Sequence, residues 1–242
     1  MRALLLSILL VTTPAFAQTD EAQLDATRSA DHLHGNRTYT FTQGQADYSR
    51  QSGQDVVNWD AEGWIGGDNH KFWWKTEGEQ AGPNTEKAEL QALYSRNVWT
   101  FFDVQGGVRS DLEPDARAYA VIGVQGLAPQ LLETELHAFF SFKGDVSIRF
   151  KQSFDLRLTN RVLLQPQLET DLYLTDVPER RIGSGFSTIE TGVQARYEVT
   201  RKFSPTLAVT YESKLGKTAR LAREDGEDAG GWSVRGGVRF WF

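Results

Sequence analysis

From Thr38 to the last residue, apolar and polar side chains alternate with a period of two. Residues 161–174 are typical, since even positions carry mainly leucine, valine and threonine and odd positions mainly arginine, glutamine and carboxylates. Successive side chains of a strand point to opposite sides, so the period indicates strands with one apolar and one polar face. No helical stripe competes with it.

Twelve such segments can be counted. The predicted strands lie near residues 38–48, 56–66, 70–79, 87–95, 98–109, 116–127, 131–142, 145–157, 161–174, 187–200, 203–213 and 231–242. Every second connector is short (GGDN, SRN, APQ, TNR and TRK), and the others are mostly longer, including 176–185 and 214–231. Outer-membrane barrels have an even number of strands, short turns on one rim and longer loops on the other.

Aromatic side chains separate a membrane barrel from a soluble sandwich, whose strands would alternate as well. The predicted outward aromatic residues are Phe72, Trp74, Tyr94, Tyr197, Phe203, Phe240 and Phe242 near the short turns, and Tyr48, Phe142, Tyr211 and Trp232 near the long loops. They form two interfacial girdles. The sequence therefore predicts an all-β fold, a twelve-stranded antiparallel outer-membrane β-barrel over residues 37–242. The start of the first strand and the end of the last strand are expected in the periplasm.

The residues before the barrel have the composition of an export signal and a linker. Arg2 precedes the apolar run 3–11, and the sequence PAFA at 14–17 has the pattern of a cleavage site, which predicts a signal peptide over 1–17. The apolar run is too short for a membrane-spanning helix. Residues 18–36 are polar and lack aromatic side chains, which predicts a short disordered N-terminal arm in the periplasm.

Composition excludes several kinds of partner and site. The formal net charge of −6 argues against nucleic acid as a partner. The chain has no cysteine, and its single methionine is Met1, so thiolate sites and thioether sites in the mature protein are excluded.

Nine stretches carry a resemblance to a known family. They are residues 69–79, 88–98, 102–109, 120–129, 154–169, 182–185, 196–205, 211–228 and 238–242. Together they resemble the copper resistance protein B family of bacterial outer-membrane proteins, from about Asp31 to the C-terminus. The resemblance implies a role in copper tolerance beside a periplasmic copper oxidase or copper carrier, with a copper ion as ligand or cargo. We expect a monomer surrounded by outer-membrane lipid.

Two places offer donors suited to copper, since imidazole and carboxylate both bind Cu(II). The resemblance implies a Met- and His-rich stretch ahead of the barrel, but this arm has only His32 and His34, which on a flexible segment would bind weakly. His137 projects inward beside Glu133 and Glu135 and is a candidate transient cation site. The alternative is a histidine that only donates and accepts hydrogen bonds in the lumen.

Charged residues of both signs fall on predicted inward positions. The set is Glu62, Lys75, Glu77, Glu79, Asp103, Arg149, Glu169, Asp171, Glu190, Arg196, Glu198, Glu212, Arg235 and Arg239. One interpretation is an ion-pair network that fills a narrow barrel, and the other is a cation path in which carboxylates lower the barrier for a metal ion. A twelve-stranded barrel lies between a filled barrel and a wide porin, so both stay open, with the filled lumen preferred.

Two other functions are compatible with a barrel. A hydrolase would need a histidine base, and the nearest pair, His137 and Ser141, is about 13 Å apart along a strand; GSGFS at 183–187 has glycine where a nucleophile elbow needs serine. A structural or general small-solute barrel would have only an indirect role with copper, and its last loop, 214–231, would be solvated. The sequence favours a protein without catalytic activity that binds copper or passes it across the outer membrane.

Overall fold

The computed structural model describes residues 38–51 and 53–242. The predicted signal peptide at 1–17 and the arm at 18–36, with His32 and His34, lie outside the described residues.

Strands make up most of the described chain. They are β1 (Tyr39–Gln51), β2 (Gln54–Gly66), β3 (His70–Ala81), β4 (Asn84–Trp99), β5 (Phe102–Glu113), β6 (Arg117–Ala128), β7 (Leu132–Ser141), β8 (Val146–Ser153), β9 (Leu156–Arg157), β10 (Val162–Tyr173), β11 (Gly185–Tyr197), β12 (Phe203–Lys214) and β13 (Gly230–Trp241). One helix, α1 (Gly216–Glu224), lies between β12 and β13, and short 3-10 turns lie at Pro129–Leu131 and Pro178–Arg180. No helix in the described part of the chain is long and apolar enough to cross a membrane.

The strands close into a barrel. Apart from β8 and β9, strands consecutive in sequence pair antiparallel, and β1 pairs with β13 from Gln43 opposite Trp241 to Tyr48 opposite Gly236. The segments β8 and β9 both pair with β10 and act as one strand interrupted at 154–155. The predicted twelve-stranded antiparallel barrel is therefore confirmed. Closure pairs the backbone polar groups of the edge strands, which lipid could not do.

The outer surface is apolar and carries the expected aromatic residues. The connectors 67–69, 100–101, 129–131, 158–161 and 198–202 form one end, called here the turn rim, and β1 starts and β13 ends there. Tyr94 and Phe203 are exposed near this rim, and Tyr48 and Trp232 near the opposite loop rim. A closed barrel with an apolar exterior between aromatic girdles is typical of β-barrels that span an outer membrane.

The predicted position of one short turn and the predicted length of two other connectors are wrong. The SRN segment at 95–97 lies inside β4, because Ser95 points inward and donates to Asp103 at 3.0 Å, and the turn follows Trp99. The connectors between β1 and β2 and between β3 and β4 are two-residue turns, since Gln51 pairs with Gln54 and Ala81 with Asn84. Only the loops 174–184 and 215–229 are long.

The last loop was also predicted incorrectly, because it contains the helix α1 and not only solvated chain. Thr218, Ala219 and Ala222 are buried where α1 packs on β11 and β12. Their spacing of three and four residues places them on one face of the helix. Arg220 and Glu224 lie on the exposed face, 3.7 Å apart. The many charged residues of this segment made its short buried face hard to recognise in the sequence.

Gly107 offers a test of the tight packing between β4 and β5. A Cβ at this position would lie 2.1 Å from the carbonyl oxygen of Ala92 and 2.8 Å from the Cα of Leu93. We expect Gly107→Ala to lower the free energy of unfolding by about 1–3 kcal/mol, the usual cost of overpacking. Urea unfolding in lipid vesicles measures this. The control is Gly236→Ala, where nothing lies within 4 Å of the added carbon, and equal stabilities of the two variants would contradict the packing described.

Candidate functional site

The barrel encloses an acidic cavity of about 1130 Å³. Seventeen aspartate or glutamate residues and nine lysine or arginine residues line it, which gives a formal net charge of −8. Carboxylates therefore outnumber their possible ion-pair partners by nearly two to one. The excess makes the lumen attractive to cations.

Most of the predicted site residues line this cavity. They are Glu62, Lys75, Glu77, Glu79, Glu133, Glu135, His137, Arg149, Glu169, Asp171, Glu190, Glu212, Arg235 and Arg239. His32 and His34 lie outside the described residues, and the remaining three are paired at the turn-rim end: Asp103 with Lys71 at 2.9 Å, Arg196 with Asp155 at 2.5 Å, and Glu198 with Arg157 at 3.7 Å.

Ion pairs cross the lumen between walls that are not neighbours in the sheet. Arg149 Nη1 on β8 lies 2.7 Å from Glu77 Oε1 on β3, and Lys151 Nζ lies 2.8 Å from Glu77 Oε2. Lys75 on β3 reaches Glu135 on β7 at 2.8 Å. We call these five residues the cross-lumen bridge. Because β4, β5 and β6 separate β3 from β7, the bridge ties distant parts of the wall together.

The cations of the bridge also contact carboxylates of their own wall. Arg149 Nε lies 3.1 Å from Asp171 and 3.4 Å from Glu169, and Lys151 lies 3.2 Å from Glu169. Arg149 Nη1 further lies 3.3 Å from Glu89, which is nearly inaccessible. A guanidinium group has five N–H donors in a fixed plane, so one arginine can satisfy several carboxylates.

On one side of the bridge, the inward faces of β4 to β7 pack against each other. Leu93, Tyr119, Val121 and Phe139 form a buried apolar cluster. The guanidinium of Arg109 lies 4.6 Å from the centre of the Phe139 ring, a favourable cation–π distance. We call this region the packed half of the lumen. It agrees with the predicted filled lumen for this part of the barrel.

Arg109 links the packed half to the bridge. Its Nη2 lies 2.9 Å from Glu89, and its Nε lies 2.7 Å from Asp111. Glu89 therefore accepts from both Arg109 and Arg149. Buried carboxylates and guanidinium groups are tolerated only when they are paired in this way.

His137 belongs to the packed half. It is 3% exposed, and its Nε2 lies 2.8 Å from the amide oxygen of Gln105. Its Nδ1 is 3.7 Å from Glu135, whose nearer partner is Lys75. Among residues 38–51 and 53–242 no group of three or more histidine or carboxylate side chains is arranged to hold a metal ion. Copper binding by His137, Glu133 and Glu135 stays a prediction.

The accessible carboxylates lie on the other side of the bridge, along β1–β3 and β10–β13, and at the start of β7. We call this region the open half. Asp60, Glu133 and Glu212 are exposed to the cavity. By contrast, Glu62 and Glu190 are each paired with a cation.

The three exposed carboxylates occupy different depths. Glu212 is near the loop-rim end of β12, Asp60 is in the middle of β2, and Glu133 is near the turn-rim end of β7. They therefore mark successive depths along the barrel. Asp60 was missed by sequence reasoning, although it follows the same alternation as Glu62, two residues later.

The sequence matches one family over the whole barrel. The model of the family described as copper resistance protein B precursor (CopB) matches residues 37–242. A copper resistance protein B homolog of Pseudomonas syringae pv. tomato is 36% identical over 231 residues, covering 95% of this chain and 79% of that protein. Copper resistance protein B of Escherichia coli is 36% identical over 205 residues, covering 84% of this chain and 69% of that protein.

Solved structures show the same fold at low sequence identity. The NanC porin aligns with a TM-score of 0.56 and 14% identity, over 82% of this chain and 98% of that one. The KdgM porin aligns with a TM-score of 0.52 and 12% identity, over 84% and 99%. These structural similarities show the barrel fold alone.

Removing Arg149 tests the bridge. We expect Arg149→Met to lower the free energy of unfolding by about 3–5 kcal/mol, because Asp171 would lose the cation that it contacts and Glu77 and Glu89 would each lose one of theirs, which leaves buried negative charge only partly compensated. Urea unfolding in lipid vesicles measures the loss. The matched control is Arg157→Met, which removes an exposed pair with Glu198 worth about 0–1 kcal/mol. A loss no larger than that of the control would contradict a structural role for the bridge.

Proposed function

Because the chain belongs to the copper resistance protein B family and forms an outer-membrane barrel, we propose that it passes copper ions through the open half of its lumen without catalysis. Membership of this family supports a role in copper resistance at the outer membrane. What we propose beyond this role is the route of copper through the lumen and the absence of a catalysed reaction.

The observation that carries this proposal is the excess of carboxylates on an accessible lumen surface. Asp60, Glu133 and Glu212 are exposed at three depths, and the cavity lining carries a net charge of −8. Rings or rows of carboxylates lower the barrier for cations entering a pore. Conduction also requires that each site be weak enough for the ion to leave.

The arrangement of the donors supports weak, successive contacts. The three carboxylates lie on β2, β7 and β12, so they offer single oxygen ligands and not a closed coordination shell. Tight copper sites in proteins combine several imidazole or sulfur ligands. Passage is therefore better supported than storage in the barrel, and His32 and His34 remain candidates for a separate contact in the arm.

The environment of His137 supports a function without catalysis. Its Nε2 is engaged with Gln105, and the ring is almost completely buried in the packed half. A general base must reach the proton that it removes, directly or through one water. A hydrolase would be indicated if the purified barrel showed esterase activity that His137→Ala abolished.

Copper flux into proteoliposomes tests the proposed route. We expect protein-containing vesicles to admit Cu²⁺ faster than empty ones, measured by quenching of a trapped dye. We expect Asp60→Asn and Glu212→Gln each to reduce the rate by about fivefold, which corresponds to roughly 1 kcal/mol of lost attraction.

The control for this experiment is Asp228→Asn, which removes one exposed charge in the last loop, away from the lumen lining. It should leave the rate unchanged. Equal rates in all variants, together with flux of neutral sugars as fast as that of Cu²⁺, would contradict a cation route and favour a general small-solute barrel.

A competition titration separates the predicted histidine site from the carboxylate route. With refolded protein lacking residues 18–36, we expect Cu(II) binding to be weak and unchanged by His137→Ala. The triple change of Asp60, Glu133 and Glu212 to their amides should weaken it further. A large loss on His137→Ala alone would instead place copper in the packed half.

A further inference from the structure

The loop 174–184 crosses the mouth of the barrel at the loop rim. It connects β10 with β11, yet its Arg180 reaches the far wall, where Nη1 lies 2.7 Å from Asp111 on β5. Its Nη2 also donates to the carbonyl oxygen of Asp115 at 2.8 Å. In the barrel, β7 and β8 lie between β6 and β10. Glu179, Arg180 and Ile182 consequently form part of the cavity lining.

A second contact at the far wall involves the neighbouring residue. Glu179 Oε2 lies 2.5 Å from Arg117 Nη2 and 4.0 Å from Lys143 Nζ. The Glu179 side chain is 66% exposed, whereas those of Arg180 and Asp111 are 11% and 4% exposed. Arg117 is buried, but solvent around Glu179 screens that pair, whereas both partners of the Arg180–Asp111 pair are shielded from water, so Arg180 is the principal anchor.

The helix α1 supports the loop from behind. Arg181 donates to both carboxylate oxygens of Asp225, at 2.6 and 2.5 Å, and the amide of Gly183 donates to Thr218 Oγ1 at 3.0 Å. Lys217 lies 2.5 Å from Asp176. Hydrogen bonds from Lys217 and Ser184 lower the pKa of Asp176 to about 2, so this pair is ionised at neutral pH.

The loop ends where β11 begins, at Gly185, whose φ is +106°. Glycine adopts this conformation without the penalty that other residues incur. Gly185 therefore lets the chain turn from the loop into β11.

From these contacts we propose that the loop 174–184 is a lid that limits the size of solutes entering the lumen, and that Arg180 is the residue that holds it across the mouth. With Arg180 bound to Asp111 and Asp115, the loop covers part of the cavity. Release of this anchor leaves the loop attached to α1 and held at the far wall only by the solvent-exposed Glu179, and the mouth widens. The inference concerns size and does not depend on copper being the cargo.

Single-channel recordings in planar bilayers test the lid through exclusion of polyethylene glycols of increasing mass. Arg180→Gln removes the anchor and is expected to shift the exclusion limit to larger polymers and to raise the conductance. The matched control is Arg220→Gln, which removes an exposed arginine from the outer face of α1 and should keep the wild-type limit.

A charge-preserving variant separates the lid from simple electrostatics. Arg180→Lys keeps the positive charge but cannot hold Asp111 and the Asp115 carbonyl together, so the lid predicts an exclusion limit above that of the wild type. Folding of each variant is verified by its resistance to SDS before heating. Wild-type exclusion limits in folded Arg180→Gln and Arg180→Lys would overturn the inference. So would an increase in conductance with no change in the polymer that is excluded.

Discussion

The ion pairs of Arg149 determine how the interior of this barrel is divided. A single guanidinium group on β8 contacts Glu77 and Glu89 on the opposite wall and Asp171 and Glu169 on its own. Burying such groups has a high desolvation cost, and replacing a buried pair by apolar residues is often neutral or stabilising. The value of the bridge is therefore geometric: it fixes which side of the lumen is filled and which side is accessible.

Because of this division, one part of the lumen is filled by side chains and another part is accessible. In the packed half, Phe139 and its neighbours form a core that resembles the interior of a soluble protein, with Arg109 lying over the ring. In the open half, Asp60, Glu133 and Glu212 face the cavity of about 1130 Å³. The packed half gives rigidity, and the open half provides a surface for a cation. A twelve-stranded barrel is wide enough for both.

Sequence periodicity predicted the barrel well because a period of two is imposed directly by strand geometry. The strand number, the inward charges and the aromatic girdles all follow from that alternation. Turn positions were harder, since Ser95 and Asn97 look like a turn but are held in β4 by bonds to Asp103. The cross-lumen bridge could not be predicted, because which inward charges meet depends on the curvature of the whole sheet. Nor could the alternation show that His137 would be enclosed by Gln105 and Phe139.

Labelling of single cysteines tests the divided lumen most directly, because the natural chain contains no cysteine. Cysteine would be introduced at Gln45 and Glu190 in the open half, and at Gln105 and Val121 in the packed half. The rate of reaction with a charged, membrane-impermeant thiol reagent would then be measured in intact vesicles. The division predicts fast labelling at the first two positions and protection at the last two until the barrel is unfolded. Similar rates at all four positions would contradict it, since the lumen would then be uniformly open or uniformly filled.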